Sequence, residues 1–336
     1  MKAIGYHQNL PVDDDRALVD LELPAPVPKP RDIIVRVGAI SVNPVDTKVR
    51  RSRVPAAGQA EVLGWDAVGT VVQTGAQATM FKVGDRVYYA GAINRPGANS
   101  ELHAVDERIA ALAPATLDDG QAAALPLTTI TAYELLFDRL RIPKNGGAGQ
   151  TLLVVGGAGG VGSILIQLAR RLTQLKVVAT ASRPETRQWC LDLGAHAVID
   201  HRQPLSAGLK AAGIEGVDYV AALTHTQDHY DQIIDSLKPQ GSLAVIDDMH
   251  GLDVMKLKTK SIALHWELMF TRSLFETPDM DQQGQLLAEV ARLVDAGQLR
   301  TTVHTTLAPI HAANLRQAHA LIESGSAQGK VVLVGF

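Results

Sequence analysis

The sequence predicts an α/β protein in which a β-rich part accompanies a doubly wound parallel sheet. Three observations carry this reading. Thr151–Leu172 reads as strand, glycine turn and helix. From Thr151 to Met269, strand-like and helix-like segments alternate, as in parallel strands joined by crossover helices. The first 125 or so residues carry short β-branched runs instead.

In the first part, Ile33–Val37 and Val68–Gln73 are runs bounded by Pro, Gly or charge, and Gly84-Asp85-Arg86-Val87 marks a turn into another strand. Pro24–Pro30 alternates proline with other residues and reads as extended surface chain. No helix longer than two or three turns is expected before Asp118. Leu117–Leu140 is helical in composition, and Pro143–Gln150 leads into the glycine segment. Strands are then expected at 151–155, 176–181, 197–200, 217–223, 242–247 and 261–269. Helices are expected at 163–172, 184–193 and 229–237. Amphipathic helices at 280–296 and 311–324 and a strand at 330–336 complete the chain.

In the segment V-V-G-G-A-G-G-V-G-S, Gly157, Gly159 and Gly162 fit G-x-G-x-x-G between a strand and a helix. The first glycine permits the turn, the second lets backbone approach a pyrophosphate, and the third lets helix and strand pack closely. The N–H groups of Gly160, Val161 and Gly162 open the helix and face the phosphates. The tip of the next strand selects the dinucleotide. NAD-binding sheets place Asp or Glu there to hold the ribose 2′-OH. Here the tip is Ser182-Arg183-Pro184-Glu185, a hydroxyl and a guanidinium. Arginine grips phosphate with parallel hydrogen bonds, which favours NADP(H). Ser182 also reads as a cap for the helix that begins with Pro184.

The whole chain narrows the function classes. It has 336 residues and a formal net charge of −3, with no basic tract, so nucleic acid is not an expected partner. No apolar run is long enough to span a membrane, and the N-terminus lacks a signal-peptide pattern. Cys190 is the one cysteine and sits in a helical pattern, as a buried filler. A cytoplasmic protein is expected.

At this point the chain resembles the medium-chain dehydrogenase/reductase superfamily, in its quinone-oxidoreductase branch, and there the "zinc-type alcohol dehydrogenase-like" subgroup. The resemblance rests on N-P-V-D-T-K-V-R at Asn43–Arg50, L-G-W-D-A-V-G-T-V at Leu63–Val71 and F-K-V-G-D-R-V-Y at Phe81–Tyr88. It continues through Ala123–Glu134, the glycine motif, Leu193–Asp200, Leu257–Arg272 and Gly329–Leu333. It implies a GroES-like β-barrel catalytic domain at 1–126 and 271–336, and a Rossmann NADP-binding domain at 127–270. It also implies a cofactor in the cleft and a homodimer paired along the 261–269 strand.

Zinc-dependent members carry Cys, His and Cys as ligands, leaving a fourth position open. The matching positions here are Asn43, Trp65 and Leu127, and Val45 replaces the hydroxyl that relays the alcohol proton. Ala90–Glu101 lacks the four cysteines of a structural zinc lobe. His225, Asp228 and His229 have ligand-like spacing, but scattered histidines are usually surface or core residues. No metal is expected.

Quinone or enone reduction asks less of the protein than alcohol oxidation. The developing charge spreads onto a carbonyl oxygen, and one donor plus placement carries much of the effect. The expected activity is zinc-independent, NADPH-dependent reduction of quinones or α,β-unsaturated carbonyls. The alternatives are an alcohol dehydrogenase with atypical zinc ligands and a non-catalytic NADPH-binding protein. Asn43 is a candidate to face nicotinamide or substrate, or a turn residue before Pro44. Asp46 orients neighbours or caps a helix. Tyr88 or Tyr89 is a candidate carbonyl donor, or strand packing. By the resemblance, Thr131 contacts the nicotinamide side of the cofactor and His201 its adenosine, against buried-hydroxyl and surface-loop alternatives. Lys330 either approaches the cofactor or is simply exposed.

Overall fold

Leu152, Leu153, Val154 and Val155 are buried in succession, so the strand they form has no solvent face. A strand covered on both sides reads as an unbroken apolar run. This strand, Thr151–Val155, lies inside a six-stranded sheet. The computed structural model describes all residues, 1–336, and the chain divides into two units. One is Met1–Ile130 with Phe270–Phe336, and the other is Thr131–Met269.

The Thr131–Met269 unit contains the six-stranded sheet. Its order is Ala197–Ile199, Lys176–Thr180, Thr151–Val155, Val217–Ala222, Leu237–Val245, Ala263–Trp266, and all neighbours are parallel. The chain winds outward from strand 151–155 in one direction, then returns beside it and winds out in the other. That reversal is a topological switch point, where open α/β sheets bind ligands at the carboxyl ends of their strands. Helices Leu205–Ala211 and Thr226–Ser236 cover one face through Leu205, Leu209, Ile233 and Ile234. Helix Gly160–Leu172 is amphipathic and buries Ile164, Leu165 and Leu168. Burying each such side chain is worth about 1.5–3 kcal/mol.

The other unit is β-rich. Strand Asp32–Val42 is its hub and pairs antiparallel with Ala67–Thr74, Leu102–Asp106 and Lys330–Val334. Strands Arg86–Tyr89, Ala110–Leu112 and Val303–Leu307 extend this seven-stranded sheet, and Val19–Glu22, Lys2–Tyr6 and Glu61–Val62 form a three-stranded one. Helices Pro44–Ser52, Gln282–Asp295 and Ala312–Glu323 belong to the same unit.

The α/β class with a doubly wound parallel sheet is the observed one. Particular elements differ. Leu117–Leu140 is not one helix but Asp119–Ala123, Pro126–Glu134 and a π-helical turn at Leu135–Arg139. Pro126 has no N–H to continue the preceding helix. The strand expected at 242–247 begins at Leu237, and its pairing with strand 217–222 is irregular between Leu237 and Ser242, where Gln240 takes a left-handed φ of +65°. The last strand of the sheet is Ala263–Trp266, because Ser261 closes the 3-10 turn before it at φ +51°. The unit boundaries fall at Ile130/Thr131 and Met269/Phe270, within helix 126–134 at the first crossing rather than at its start.

Candidate functional site

The glycine turn joins strand 151–155 to helix 160–172. The turn falls one residue earlier than the motif implies. Gly156, not Gly157, has the left-handed φ, +88°. Its N–H donates to the Thr180 hydroxyl at 3.0 Å, which ties the turn to the next strand. Gly157 is needed for space, since a Cβ there would lie 2.7 Å from Ala179 Cβ and 3.1 Å from Cys190 Sγ. A Cβ on Gly162 would meet the Gly156 carbonyl oxygen at 2.4 Å. Gly159 differs, because its Cβ would meet only that oxygen, at 3.6 Å, so the space beside it is open. Gly159 is the N-cap residue of the helix and Gly160, Val161 and Gly162 form its first turn, with no side chain capping them. Their N–H groups have no partner within the helix and present partial positive charge. An open cradle lined by such donors fits a pyrophosphate.

At the tip of strand 176–180, Ser182 does not cap the following helix as expected. Arg183 is the N-cap residue, and no side chain caps the turn. Arg183 Nε lies 3.1 Å from Glu185 Oε1, with both side chains largely exposed. No carboxylate occupies the Ser182 or Arg183 position, so the tip fits a ribose 2′-phosphate better than a free 2′-OH. His201 is half-buried just beyond strand 197–199, its ring centroid 6.0 Å from that of His229. Burial, reinforced by His229 and Arg202, holds His201 below its usual pKa, so the ring is neutral at pH 7. Thr131 is buried on helix 126–134. His225 Nδ1 reaches Asp228 Oδ2 at 3.3 Å, and no three His, Cys, Asp or Glu side chains form a group able to hold a metal ion. Cys190 is buried behind the glycine turn, which pushes its thiol up to about 12.

The β-rich unit contains a second cluster. Asn43, Asp46, Asp66 and Lys330 are each 0–2 % exposed. Lys330 Nζ donates to Asn43 Oδ1 and to the Val42 carbonyl, and lies 3.1 Å from Asp66 Oδ2. Asn43 Nδ2 donates to Asp66 Oδ2 at 3.0 Å, and Asp66 Oδ1 accepts from the Leu127 N–H at 2.9 Å. Burial raises the Asp66 carboxyl while Lys330 opposes the shift, and burial lowers the Lys330 ammonium while Asp66 opposes that one. The two compensate each other as a buried ion pair. Asp46 caps helix 44–52 by accepting from the Asn43 N–H at 2.6 Å, and burial pushes its carboxyl up to about 7.

This arrangement corrects three sequence expectations. The Asn43 amide is committed at both ends within its own unit, so it has no free group to turn toward a nicotinamide. Lys330 is not exposed, and its ammonium is held inside the unit by Asp66, Asn43 and the Val42 carbonyl. Tyr88 is not a carbonyl donor. It is fully buried, and its hydroxyl donates to the Leu287 carbonyl at 2.6 Å on helix 282–295. Tyr89 is equally buried and its hydroxyl meets His103 Nδ1 at 3.1 Å. Strand 86–89 has Val87, Tyr88 and Tyr89 all buried, so alternation along it reveals no exposed face. Asp46 takes the capping role.

The positions matched to zinc ligands do not fit zinc. Asn43 is an amide, Leu127 offers only hydrocarbon, and Trp65 donates its indole N–H to the Ala92 carbonyl at 3.2 Å. None is a thiolate or imidazole. Lys330 adds an ammonium against Asn43, which disfavours a second cation.

Sequence reasoning missed Gly156 and the Asp66–Lys330 pair. The doubled glycine at 156–157 was the available signal for the first. No local pattern links Asp66 to Lys330.

Comparison with known proteins identifies the family of the fold. Residues 193–333 match the zinc-binding dehydrogenase family, and residues 29–115 match the alcohol dehydrogenase GroES-like domain. A zinc-type alcohol dehydrogenase-like protein of Staphylococcus aureus is 40% identical over 336 residues, covering 99% of each chain. A 2-methylene-furan-3-one reductase of Solanum lycopersicum is 30% identical, over 99% of this chain and 79% of the relative. A Rhizobium etli structure, provisionally named a zinc-dependent alcohol dehydrogenase, superposes with TM-score 0.96 at 55% identity, covering 100% and 98% of the two chains. Escherichia coli quinone oxidoreductase complexed with NADPH superposes with TM-score 0.84 at 26% identity, covering 99% and 100%. The chain belongs to the medium-chain dehydrogenase/reductase superfamily, in its quinone oxidoreductase-like branch. There it groups with the proteins called zinc-type alcohol dehydrogenase-like. The GroES-like match lies within the β-rich unit, and the six-stranded parallel sheet is the Rossmann-like part of the fold.

Proposed function

We propose that the protein is an NADPH-dependent reductase of quinones or α,β-unsaturated carbonyls that works without zinc. The observation that carries this reading is the state of Asn43, Trp65 and Leu127. The three positions that hold zinc in metal-dependent relatives are an amide bound to Lys330 and Asp66, a buried indole and an aliphatic side chain. The Solanum lycopersicum reductase and the NADPH complex of the Escherichia coli enzyme support the same reaction class and cofactor.

Bound NADPH supplies the hydride. The chain's own part is placement. The first turn of helix 160–172 receives the pyrophosphate, and Gly159 leaves room for it. Arg183 meets the 2′-phosphate. The neutral ring of His201 offers a face for the adenosine, and Thr131 lies toward the nicotinamide. With Asn43, Lys330 and Tyr88 all engaged inside the GroES-like domain, the final proton comes from solvent. Without metal or relay hydroxyl, alcohol oxidation has no group to take its proton, whereas a quinone or enone accepts hydride into a delocalised anion.

The sheet ends at strand 263–266, where one backbone edge has no neighbouring strand. Trp266 and Leu268 there are 55% and 52% exposed. A bare edge with apolar side chains is a template for pairing with another strand. The assembly is accordingly a homodimer joined along this strand, and light scattering in solution tests it.

The test of the reaction is NADPH consumption against small quinones, enones, aldehydes and alcohols, before and after chelator treatment. Quinones or enones should consume NADPH, alcohols should not reduce NADP, and the chelator should change neither. One zinc per subunit, with activity lost on its removal, would overturn the reading. So would efficient alcohol oxidation.

A further inference from the structure

We propose that Arg202 is a second specificity-determining residue, which together with Arg183 binds the 2′-phosphate of the dinucleotide beside Ser182. The proposal rests on the NADPH reading above and extends it to a residue outside the strand tip. Arg202 follows strand 197–199, yet its Nη2 donates to the Ser182 carbonyl at 3.1 Å. Its Nε lies 3.1 and 3.2 Å from the two oxygens of Asp200, and Nη2 lies 2.7 Å from Asp200 Oδ2. These bonds use Nε and Nη2 and leave both Nη1 hydrogens for a ligand. The side chain is 64% exposed and is held by four hydrogen bonds, so the guanidinium is accessible and already oriented. Pre-orientation lowers the entropy lost on binding.

Arg183 adjoins Ser182 in sequence, and Arg202 is hydrogen-bonded to it. Two arginines therefore belong to the position that selects between dinucleotides, one next to Ser182 in sequence and one hydrogen-bonded to its carbonyl. Two acids face them: Glu185 pairs with Arg183 and Asp200 with Arg202. His201, between Asp200 and Arg202, is neutral and adds no charge. A phosphate monoester carries about −1.5 to −2 charge at neutral pH and three acceptor oxygens, which matches two planar donors better than one. NADH brings no such group to this place. Arg202 should therefore act on one cofactor and not the other.

The experiment measures binding of NADPH, NADH, adenosine 2′,5′-bisphosphate and 5′-AMP to the full-length protein, for the unmodified chain and for Arg202→Ala, Arg202→Lys and Asp200→Asn. Arg202→Ala should weaken NADPH and the bisphosphate by about tenfold, the size of one charge-assisted contact, and leave NADH and 5′-AMP within twofold. Arg202→Lys should recover part of the loss, since it keeps the charge but not the fork. Asp200→Asn removes a carboxylate near the phosphate and should tighten NADPH alone. A residue that merely pins the two strand ends together would give a different pattern, with all four ligands weakened alike by Arg202→Ala and by Asp200→Asn. That pattern overturns the assignment, as does an unchanged NADPH-to-NADH ratio in Arg202→Ala. If the unmodified protein itself binds both cofactors equally, the NADPH reading fails first, which separates the two failures.

Discussion

Lys330 Nζ lies 3.1 Å from Asp66 Oδ2, and neither side chain is more than 3% exposed. Two opposite charges therefore sit together inside the GroES-like domain, bridged by the Asn43 amide. Breaking such a pair from one side leaves a buried charge without compensation, at a cost of about 3–5 kcal/mol. Lys330→Met should lose that much stability in urea denaturation. Adding Asp66→Asn should recover most of it, because both charges are then gone. A double variant no more stable than Lys330→Met would disprove the pairing as the source of the loss.

The glycine turn gives a prediction that separates folding from binding. Gly162→Ala would put a methyl 2.4 Å from a backbone oxygen, where nothing flexible can yield. It should destabilise the protein by about 1–3 kcal/mol, as overpacking does, and abolish NADPH binding. Gly159→Ala meets nothing closer than 3.6 Å, and its φ of −73° suits any residue. It should leave Tm unchanged and weaken NADPH by about tenfold, through the phosphate's lost approach to the helix N-terminus. Thermal melts and cofactor titration of the two variants check this. Similar melting losses in both would show that Gly159 also serves packing.

How much of this was legible in the sequence follows from the range of each interaction. The glycine turn is local, so V-V-G-G-A-G-G-V-G-S marks its place, although the left-handed residue is Gly156, just before the motif's first glycine. Helix 160–172 and the buried strand before it were readable from apolar spacing. The Asn43–Lys330 contact spans 287 residues of chain, and nothing local marks it. Tyr88 misled for a related reason. A strand covered on both faces carries no alternation, so a buried tyrosine looked like an available one. Arg202 is hydrogen-bonded to the Ser182 carbonyl at the tip of a neighbouring strand, and adjacency across a parallel sheet is a tertiary property.

His319 supplies an acid-limb prediction. It is fully buried on helix 312–323, and neither ring nitrogen has a hydrogen-bond partner. Burial, with Arg50 nearby, pushes its pKa down to about 3 from an ordinary 6.5. The folded state therefore holds the ring neutral, while the unfolded state takes a proton below pH 6.5. The stability linked to this group is complete above pH 6.5 and is lost as pH falls toward 3. The slope approaches about 1.4 kcal/mol per pH unit. His319→Leu should flatten that limb. It should also stabilise the protein at neutral pH by about 1–3 kcal/mol, the cost of unsatisfied buried polar atoms. Parallel pH dependences for the two proteins would show that His319 is not the group responsible.

The last prediction concerns an acid pair in the nucleotide-binding domain. Glu134 and Glu267 are 0 and 3% exposed. Arg139, on the π-helical turn, donates from Nε to Glu267 Oε2 at 2.7 Å, and its Nη2 lies 3.8 Å from Glu134 Oε2. One guanidinium serves two buried carboxylates, so both cannot ionise without repulsion. Burial, then the charge of Glu134, pushes Glu267 up to about 9 from an ordinary 4.5. Below pH 4.5 folded and unfolded chains both hold this proton, and the group does not oppose folding. Between 4.5 and about 9 the unfolded chain releases it and the folded chain does not, so stability falls as pH rises and levels off above that. Glu267→Gln keeps the size and the acceptor toward Arg139 but has no proton to lose. Its Tm should match the unmodified protein near pH 4.5 and exceed it by a growing margin up to pH 9. Glu267 follows strand 263–266 directly and its N–H donates to the Val245 carbonyl at 3.0 Å, so the gain should appear as slower hydrogen exchange along this edge strand. A pH-independent Tm difference would mean that Glu267 is not the group that keeps its proton in the folded state.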